Sequence, residues 1–390
     1  MRILISGAGI AGPAVAYWLH QYGMTPTILE KAPQLRTGGY IVDFWGAGFD
    51  IAEKMGLIPG LLSKGYQVQE VRVVNNKGEK VAGFPAKTFA RVAQGRFTSL
   101  PRSELSRAIL DLIKDKTETI FGESIEGIDQ TQNTARVTLT NGSVRDFDLV
   151  IGADGLHSRV RELAFGQERR FERYLGYKVA AYSVRGYRPR NELTYLMYTQ
   201  VGQQVSRFSM RDDRTMFLFI FSDPNPGGHE SFEEQKMLLR HRFQNSGWEC
   251  NQILESLDSS DDFYFDRVSQ IRMPGWSSGR VALLGDSAFC VSLLAGQGSA
   301  LAMVSSYILA GELHRAGGDY ARAFREYERL FGSFVLRKQN AATRFAGSFA
   351  PKSRFSMFLR NQIMNLMRLD WIADLALGRD LADRIALPAY

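Results

Sequence analysis

The stretch "GDSAFCVSLLAGQG", Gly285 to Gly298, combines one acid, one thiol and a Gly-Gln-Gly turn with a run of apolar residues. It holds no His, no Lys and no metal-ligand spacing. Asp286 can accept hydrogen bonds, the glycines let a backbone come close, and the apolar run keeps water out. With no His or Lys to act as a base, an acceptor and a glycine turn around an apolar patch suit something bound.

The amino terminus indicates what that is. Residues 2–31 read "RILISGAGIAGPAVAYWLHQYGMTPTILEK". An apolar strand (Ile3, Leu4, Ile5) leads into Gly7, Gly9 and Gly12, a helix follows over about 10–22, and a second strand ends at Glu30. Gly7 permits the tight turn, Gly9 lets backbone approach a pyrophosphate, and Gly12 lets helix pack against strand. Glu30 stands where a carboxylate accepts from a ribose hydroxyl. This is a dinucleotide-binding pattern, which by itself does not separate a nicotinamide from a flavin. A nicotinamide dehydrogenase continues with regular βαβ repeats. Here a glycine-rich loop (Arg36 to Gly48) follows instead, then a helix to about Met55. Next comes a hairpin turning at Asn75-Asn76-Lys77-Gly78, and another turning at Asn141-Gly142. Such interruption suits a large cofactor whose second half needs its own covering.

The motifs then resemble a known family, the single-component FAD-dependent aromatic hydroxylases of the p-hydroxybenzoate hydroxylase class. The glycine fingerprint is followed by "GADGLHSRVR", with Asp154, Gly155, Ser158 and Arg161. "RVALLGDSAF", with Gly285 and Asp286, then runs on into "GQGSALA". Between them "LPRSEL" puts Arg102 where the family has an arginine beside the flavin ribityl and phosphates. "GGYIVDFWG", "DDFYFD" and "YILAGEL" look most similar to tetracycline destructases. The resemblance implies noncovalent FAD on Gly7, Gly9, Ile10, Ala11, Gly12, Glu30, Lys31, Arg102, Asp154, Asp286, Gly296, Gly298 and Ser299. It further implies reduction by NADPH or NADH, a flavin C4a-hydroperoxide formed with O2, and oxygen transfer to an electron-rich ring. A helix starting at Gly296-Gln297-Gly298 would turn its free N–H groups toward the flavin edge that gains negative charge. The family's D-A-A-H-x-x-x-P is altered: Phe289 replaces the His and Leu293 the Pro. The Leu293 backbone carbonyl remains as the catalytic candidate, without proline's fixed φ.

These motifs need elements to position them. The expected fold is α/β, a Rossmann-type FAD-binding domain interwoven with an antiparallel sheet domain, plus carboxy-terminal helices. Residues 1–70, 98–168 and 272–345 form the first domain, 71–97 and 169–271 the second, and 346–390 the helical tail. The aromatic strands "KVAAYSVRGY", "TYLMYTQ", "QVSRFSMR" and "TMFLFIFS" read as a roof over the flavin. Phe44, Trp45, Phe208, Met210, Phe217 and Phe219 are the candidate substrate-pocket residues. Arg185, Arg207 and Arg211 are weaker candidates for an anionic substrate. In the tail, Phe355, Phe358, Leu359, Leu366, Leu369 and Ile372 recur at helical spacing, as if to dock on the protein.

The 390 residues carry 48 Lys and Arg against 41 Asp and Glu, a mild net charge of +7 that suits phosphates but, being scattered, not nucleic acid. Cys250 and Cys290 are the only cysteines, too far apart for a dithiol motif, which points to a reducing, cytoplasmic setting. No metal site, no membrane span and a monomer or weak dimer are expected. The expected partners are O2, NAD(P)H and a small aromatic or polycyclic phenolic or enolic substrate, tetracyclines among them, with antibiotic resistance as a corollary. Two alternatives stay open: a flavoprotein reductase or oxidase without oxygen transfer, and a nicotinamide dehydrogenase without flavin.

Overall fold

The computed structural model describes every residue except 36–39, 228–229, 261 and 382–384. The start of the glycine-rich loop therefore lies outside the described residues. The Ile3-Leu4-Ile5 run is apolar throughout because its strand, Arg2–Ser6, is central in a sheet covered on both faces. It pairs in parallel with Leu149–Gly152 on one side and Thr25–Glu30 on the other. Val281–Leu283 and Glu118–Phe121 extend this six-stranded sheet outward. The helix Ala11–Gln21 and the almost wholly buried helix Gly298–Arg315 pack together above it.

The roof is a seven-stranded sheet. Its order is Tyr264–Ile271, Glu172–Arg185, Arg214–Ser222, Gln203–Ser209, Thr194–Gln200, Glu70–Val74 and Lys80–Pro85. Both hairpin turns fall where expected, and residues 70–85 join the roof by pairing Glu70–Val74 in parallel with Thr194–Gln200. Because side chains alternate across a strand, register decides which face each aromatic takes. Phe208 lies opposite Met216, and Phe219 opposite Val205. Phe217, Phe219 and Phe221 consequently point to the back, under the helices Phe232–Phe243 and Cys250–Glu255, with Leu239, Phe243 and Ile253. Phe208 and Met216 point to the front, against Tyr66, Tyr40 and Ile41.

A two-stranded sheet, Ile41–Trp45 with Phe97–Pro101, lies below that front face. Its alternation sends Val42 and Phe44 into the lower core and leaves Ile41, Asp43 and Trp45 on the side toward the roof.

The tail differs from expectation. The helix Arg354–Leu366 does lie on the roof's edge strand Lys80–Pro85, but through polar groups. The Asn365 amide accepts from Gly83 N–H at 3.1 Å and donates to the Val81 carbonyl at 3.4 Å. Arg360 reaches Thr199 and the Ser348 carbonyl. An edge strand offers unpaired backbone groups, and these select the polar side of the helix. Its apolar side faces outward, with Phe355 74% and Leu359 50% exposed. The chain end then returns to the lower core, where the Tyr390 hydroxyl meets Glu312 at 2.8 Å.

Candidate active site

The amino-terminal loop is shaped by contacts that only glycine permits. Gly7 has φ +108°, and a Cβ there would fall 2.4 Å from the Ala153 carbonyl oxygen. A Cβ on Gly12 would sit 1.9 Å from the Gly7 carbonyl oxygen, so the helix starts directly against the turn. Ile10 and Ala11 put their side chains into the core and only their backbone at the loop. Glu30 latches the loop to the second strand, accepting from Ala8 N–H and Ala32 N–H, both at 2.9 Å. Each carboxylate oxygen keeps a lone pair for a ribose hydroxyl. Lys31, next along, is exposed.

Arg102 opens the helix Arg102–Asp111, and its Nη2 lies 3.5 Å from where a Gly9 Cβ would be. No carboxylate among the described residues forms an ion pair with it, so a cation is held over the glycine turn. Asp286 is reached by the field of this same arginine. Burial raises the Asp286 pKa, while Arg102 and the nearby Cys290 thiol oppose the shift; the thiol itself donates to the Ser269 carbonyl at 3.6 Å. Burial also drives the Cys290 pKa well up, so it remains a thiol. Gly298 stands beside the Asp286 carboxylate, 3.5 Å from its Cβ position to Oδ1, and Ser299 follows in the same first turn. Gly296, at φ +65°, lets the Trp45 ring approach to 3.4 Å of its Cβ position. These residues fit FAD: a glycine cradle under a lone guanidinium for the pyrophosphate, Glu30 for the ribose, and Asp286 as a waiting acceptor for ribityl hydroxyls.

Other candidate residues have partners of their own. The Asp154 carboxylate braces its own turn, accepting from Ser158 Oγ at 2.5 Å and Val160 N–H at 3.1 Å. Ser158 in turn caps the next helix through Arg161 N–H. The Leu293 carbonyl accepts from Gly296 N–H at 3.1 Å, closing the turn, while its side chain packs toward the roof with Leu294. Strain sits one residue earlier, at Ser292 with φ +109°, a conformation that costs a non-glycine residue about 1–3 kcal/mol. Phe44 is fully buried against Phe49 in the lower core, because strand parity turns it away from the roof. Phe217 and Phe219 are wall-to-helix packing on the roof's back. Met210 opens onto an outer cleft of about 480 Å³ shared with Tyr66 and Arg211. Phe208 is fully buried on the roof's front against Tyr66 and Tyr195, and Trp45 stacks on Phe97 with its ring against Gly296. Arg207 is ion-paired with Glu249 at 2.8 Å on the back, and Arg211 donates to the Lys64 and Gly65 carbonyls.

Arg161 stood in the second motif without a stated role, and Asp43 was passed over. Arg161 is 0% exposed and ties three segments together, donating to the carbonyls of Ser287 and Leu156 and pairing with Glu168. Asp43 faces the inter-layer space from a strand of apolar residues. An acid within "IVDFW" was the available signal. Among the described residues no group of three or more His, Cys, Asp or Glu is placed to hold a metal, and no helix is long and apolar enough to cross a membrane.

Comparison with known proteins agrees with this geometry. The model of the FAD binding domain family matches residues 1–321. A flavin-dependent monooxygenase from an unidentified prokaryote is 36% identical over 353 residues, 90% of each chain. One from Legionella longbeachae is 32% identical over 394 residues, covering 100% of this chain and 98% of its own. Among solved structures, tetracycline destructase Tet(51) superposes with a TM-score of 0.85 at 33% identity, covering 100% of this chain and 99% of that one.

Proposed function

The chain belongs to the FAD-binding family of flavin-dependent monooxygenases, and from that premise we propose that it spends NADPH or NADH to insert one oxygen atom of O2 into a flat aromatic or polycyclic substrate bearing phenol or enol groups. The observation that carries this reading is the pairing of two unlike walls. Below lie Arg102, Asp286 and the glycine turn, which suit FAD; above lies the aromatic front of the roof, Phe208 with Tyr195 and Met216. Bound FAD supplies the electron transfer from the nicotinamide nucleotide and the activation of O2.

The chain's own residues bind, orient and keep dry. Gly9 and Arg102 take the pyrophosphate, Glu30 the ribose, and Asp286 the ribityl chain. Leu293 and Leu294, packed on Tyr177, Val179 and Ile220, limit the entry of water between the layers. We assign residues 1–70, 98–168 and 272–345 to the cofactor domain, 71–97 and 169–271 to the substrate domain and 346–390 to the tail. Buried, unbridged Cys250 and Cys290 support a reducing, cytoplasmic setting. The likeness to Tet(51) makes tetracycline the first substrate to try, and inactivation of that antibiotic the first phenotype.

Anaerobic mixing of the yellow holoenzyme with NADPH or NADH, then admission of 18O2 with tetracycline and a panel of phenols, tests the reading. The expected result is bleaching by a nucleotide followed by one labelled oxygen in the organic product. Stoichiometric hydrogen peroxide with no oxygenated product from any compound would leave a reductase or oxidase instead. Acid precipitation should release the flavin into the supernatant, as noncovalent binding requires.

A further inference from the structure

Asp43 is the least explained charged residue near the site. The strand Ile41–Trp45 turns Ile41, Asp43 and Trp45 to the roof side, and all three keep partial solvent access although they lie between the two layers. One Asp43 oxygen accepts from Ser99 Oγ at 2.5 Å. No cation among the described residues pairs with it, and the groups that face it are neutral: Ser99 from the partner strand, and the phenol of Tyr195 above. Tyr195 lies near the same Ser99 hydroxyl and stacks on Phe208 at 4.4 Å between centroids. Two residues along the same face, the Trp45 indole N–H is buried without an acceptor. This face thus offers a ligand one acceptor and one donor beneath an aromatic ceiling.

A carboxylate without a cation is costly to bury, and evolution of a purely structural contact to Ser99 needs only a neutral side chain. We propose that Asp43 accepts the hydrogen bond, and then the proton, of the phenolic or enolic hydroxyl of a substrate lying between Ile41–Trp45 and the Tyr195–Phe208 face. The inference rests on the monooxygenase reading for its substrate class. In this step the substrate O–H bond breaks, an O–H bond forms on Asp43, and the electron pair stays on the substrate oxygen. Conjugation passes that density to the ring carbons ortho and para to the oxygen, the carbons that an electrophilic oxygen attacks. Burial raises the Asp43 pKa and the Ser99 hydroxyl opposes the rise. A carboxylate of raised pKa is a stronger base toward a phenol than one in water.

The test uses oxidised FAD holoenzyme with no nicotinamide nucleotide, so it is independent of turnover. The probes are 2-naphthol and its methyl ether, 2-methoxynaphthalene, followed by flavin absorbance and by the near-ultraviolet naphtholate band. Wild type should bind the naphthol about tenfold or more tighter than the ether, the scale of a hydrogen bond to a charged group. The naphtholate band should appear at a pH below that of free naphthol. Asp43→Asn, which keeps an acceptor for Ser99, should retain flavin and melting temperature, lose the band and bring the two affinities within about twofold. Asp43→Glu should restore part of the band. Ser99→Ala should move its onset to lower pH, since the carboxylate loses the donor that holds its pKa down and becomes the stronger base. Equal wild-type affinities for the two probes, or a band unchanged in Asp43→Asn, would overturn the assignment. If the Asn variant does not fold, the Ser99→Ala onset decides: an unmoved onset overturns it. A holoenzyme that shows the band but incorporates no 18O loses the monooxygenase reading and keeps Asp43 as the proton acceptor.

Discussion

The floor and the roof of the site are built on different principles. The floor is made of backbone: glycines whose Cβ positions are occupied by neighbouring carbonyls, and two or three polar side chains held over them. The roof is made of large side chains, and its function depends on which of two faces each occupies. A floor residue has one solution, because no other amino acid fits. A roof residue has two, related by a one-residue slip, and its identity is almost the same in both. The floor therefore tolerates little substitution and the roof should tolerate much, except where a ring touches substrate.

The sharpest way to break that contrast is at Gly12. Gly12→Val must move the Gly7 carbonyl or the helix start, and should cost several kcal/mol and abolish FAD binding. A folded, yellow Gly12→Val protein would mean that the floor is as plastic as the roof. Next in size is a pair of roof truncations. Phe219→Ala and Phe208→Ala each empty a fully buried position and should each lose about 3–5 kcal/mol in denaturant unfolding. Only Phe208→Ala should also change KM or the coupling of NAD(P)H oxidation to product. Equal kinetic effects would remove the distinction between front and back.

Asp286→Asn probes the floor's side chains without filling space. It should weaken FAD affinity about tenfold or more, measured by apoprotein titration, while the apoprotein's unfolding midpoint barely moves. The smallest effect belongs to the seam between the layers. His157, beside the Asp154-Gly155 turn, lies 3.2 Å from Asp266 on a roof strand and 2.9 Å from Glu168. Hydrogen bonds to Asp266 and then Glu168 raise its pKa from 6.5 to about 9, against the effect of burial. A raised folded-state pKa means that the protonated ring stabilises the fold fully below about 6.5 and that this is lost as pH rises through about 9. With the side chain 45% exposed, the gain is below about 1 kcal/mol. Wild type should melt slightly above His157→Gln at pH 6 and together with it at pH 10; a constant difference across that range would deny the ion pair.

What was legible in the sequence follows from the same contrast. The strand, turn and helix around Gly7, Gly9 and Gly12 were readable, and so was the position of Glu30 at the end of the second strand, because local backbone geometry demands those residue types at that spacing. The roof strands were readable as strands, since aromatic and β-branched runs between turns have few other outcomes. The face that each presents was not. Phe217 and Phe219 look as suitable for a pocket as Phe208, until pairing opposite Arg207 and Val205 puts them under the helix Phe232–Phe243. Phe44 likewise goes to the core and Asp43 to the roof side by parity alone. In the tail, helical periodicity marked the helix. It misjudged the docking face, because an edge strand's unpaired N–H and C=O groups selected Asn365 and Arg360 over the apolar stripe. The sequence by itself determined where the backbone must bend and what it must not carry. Tertiary structure decided which side chains meet, because contact across strands depends on register set by partners far along the chain.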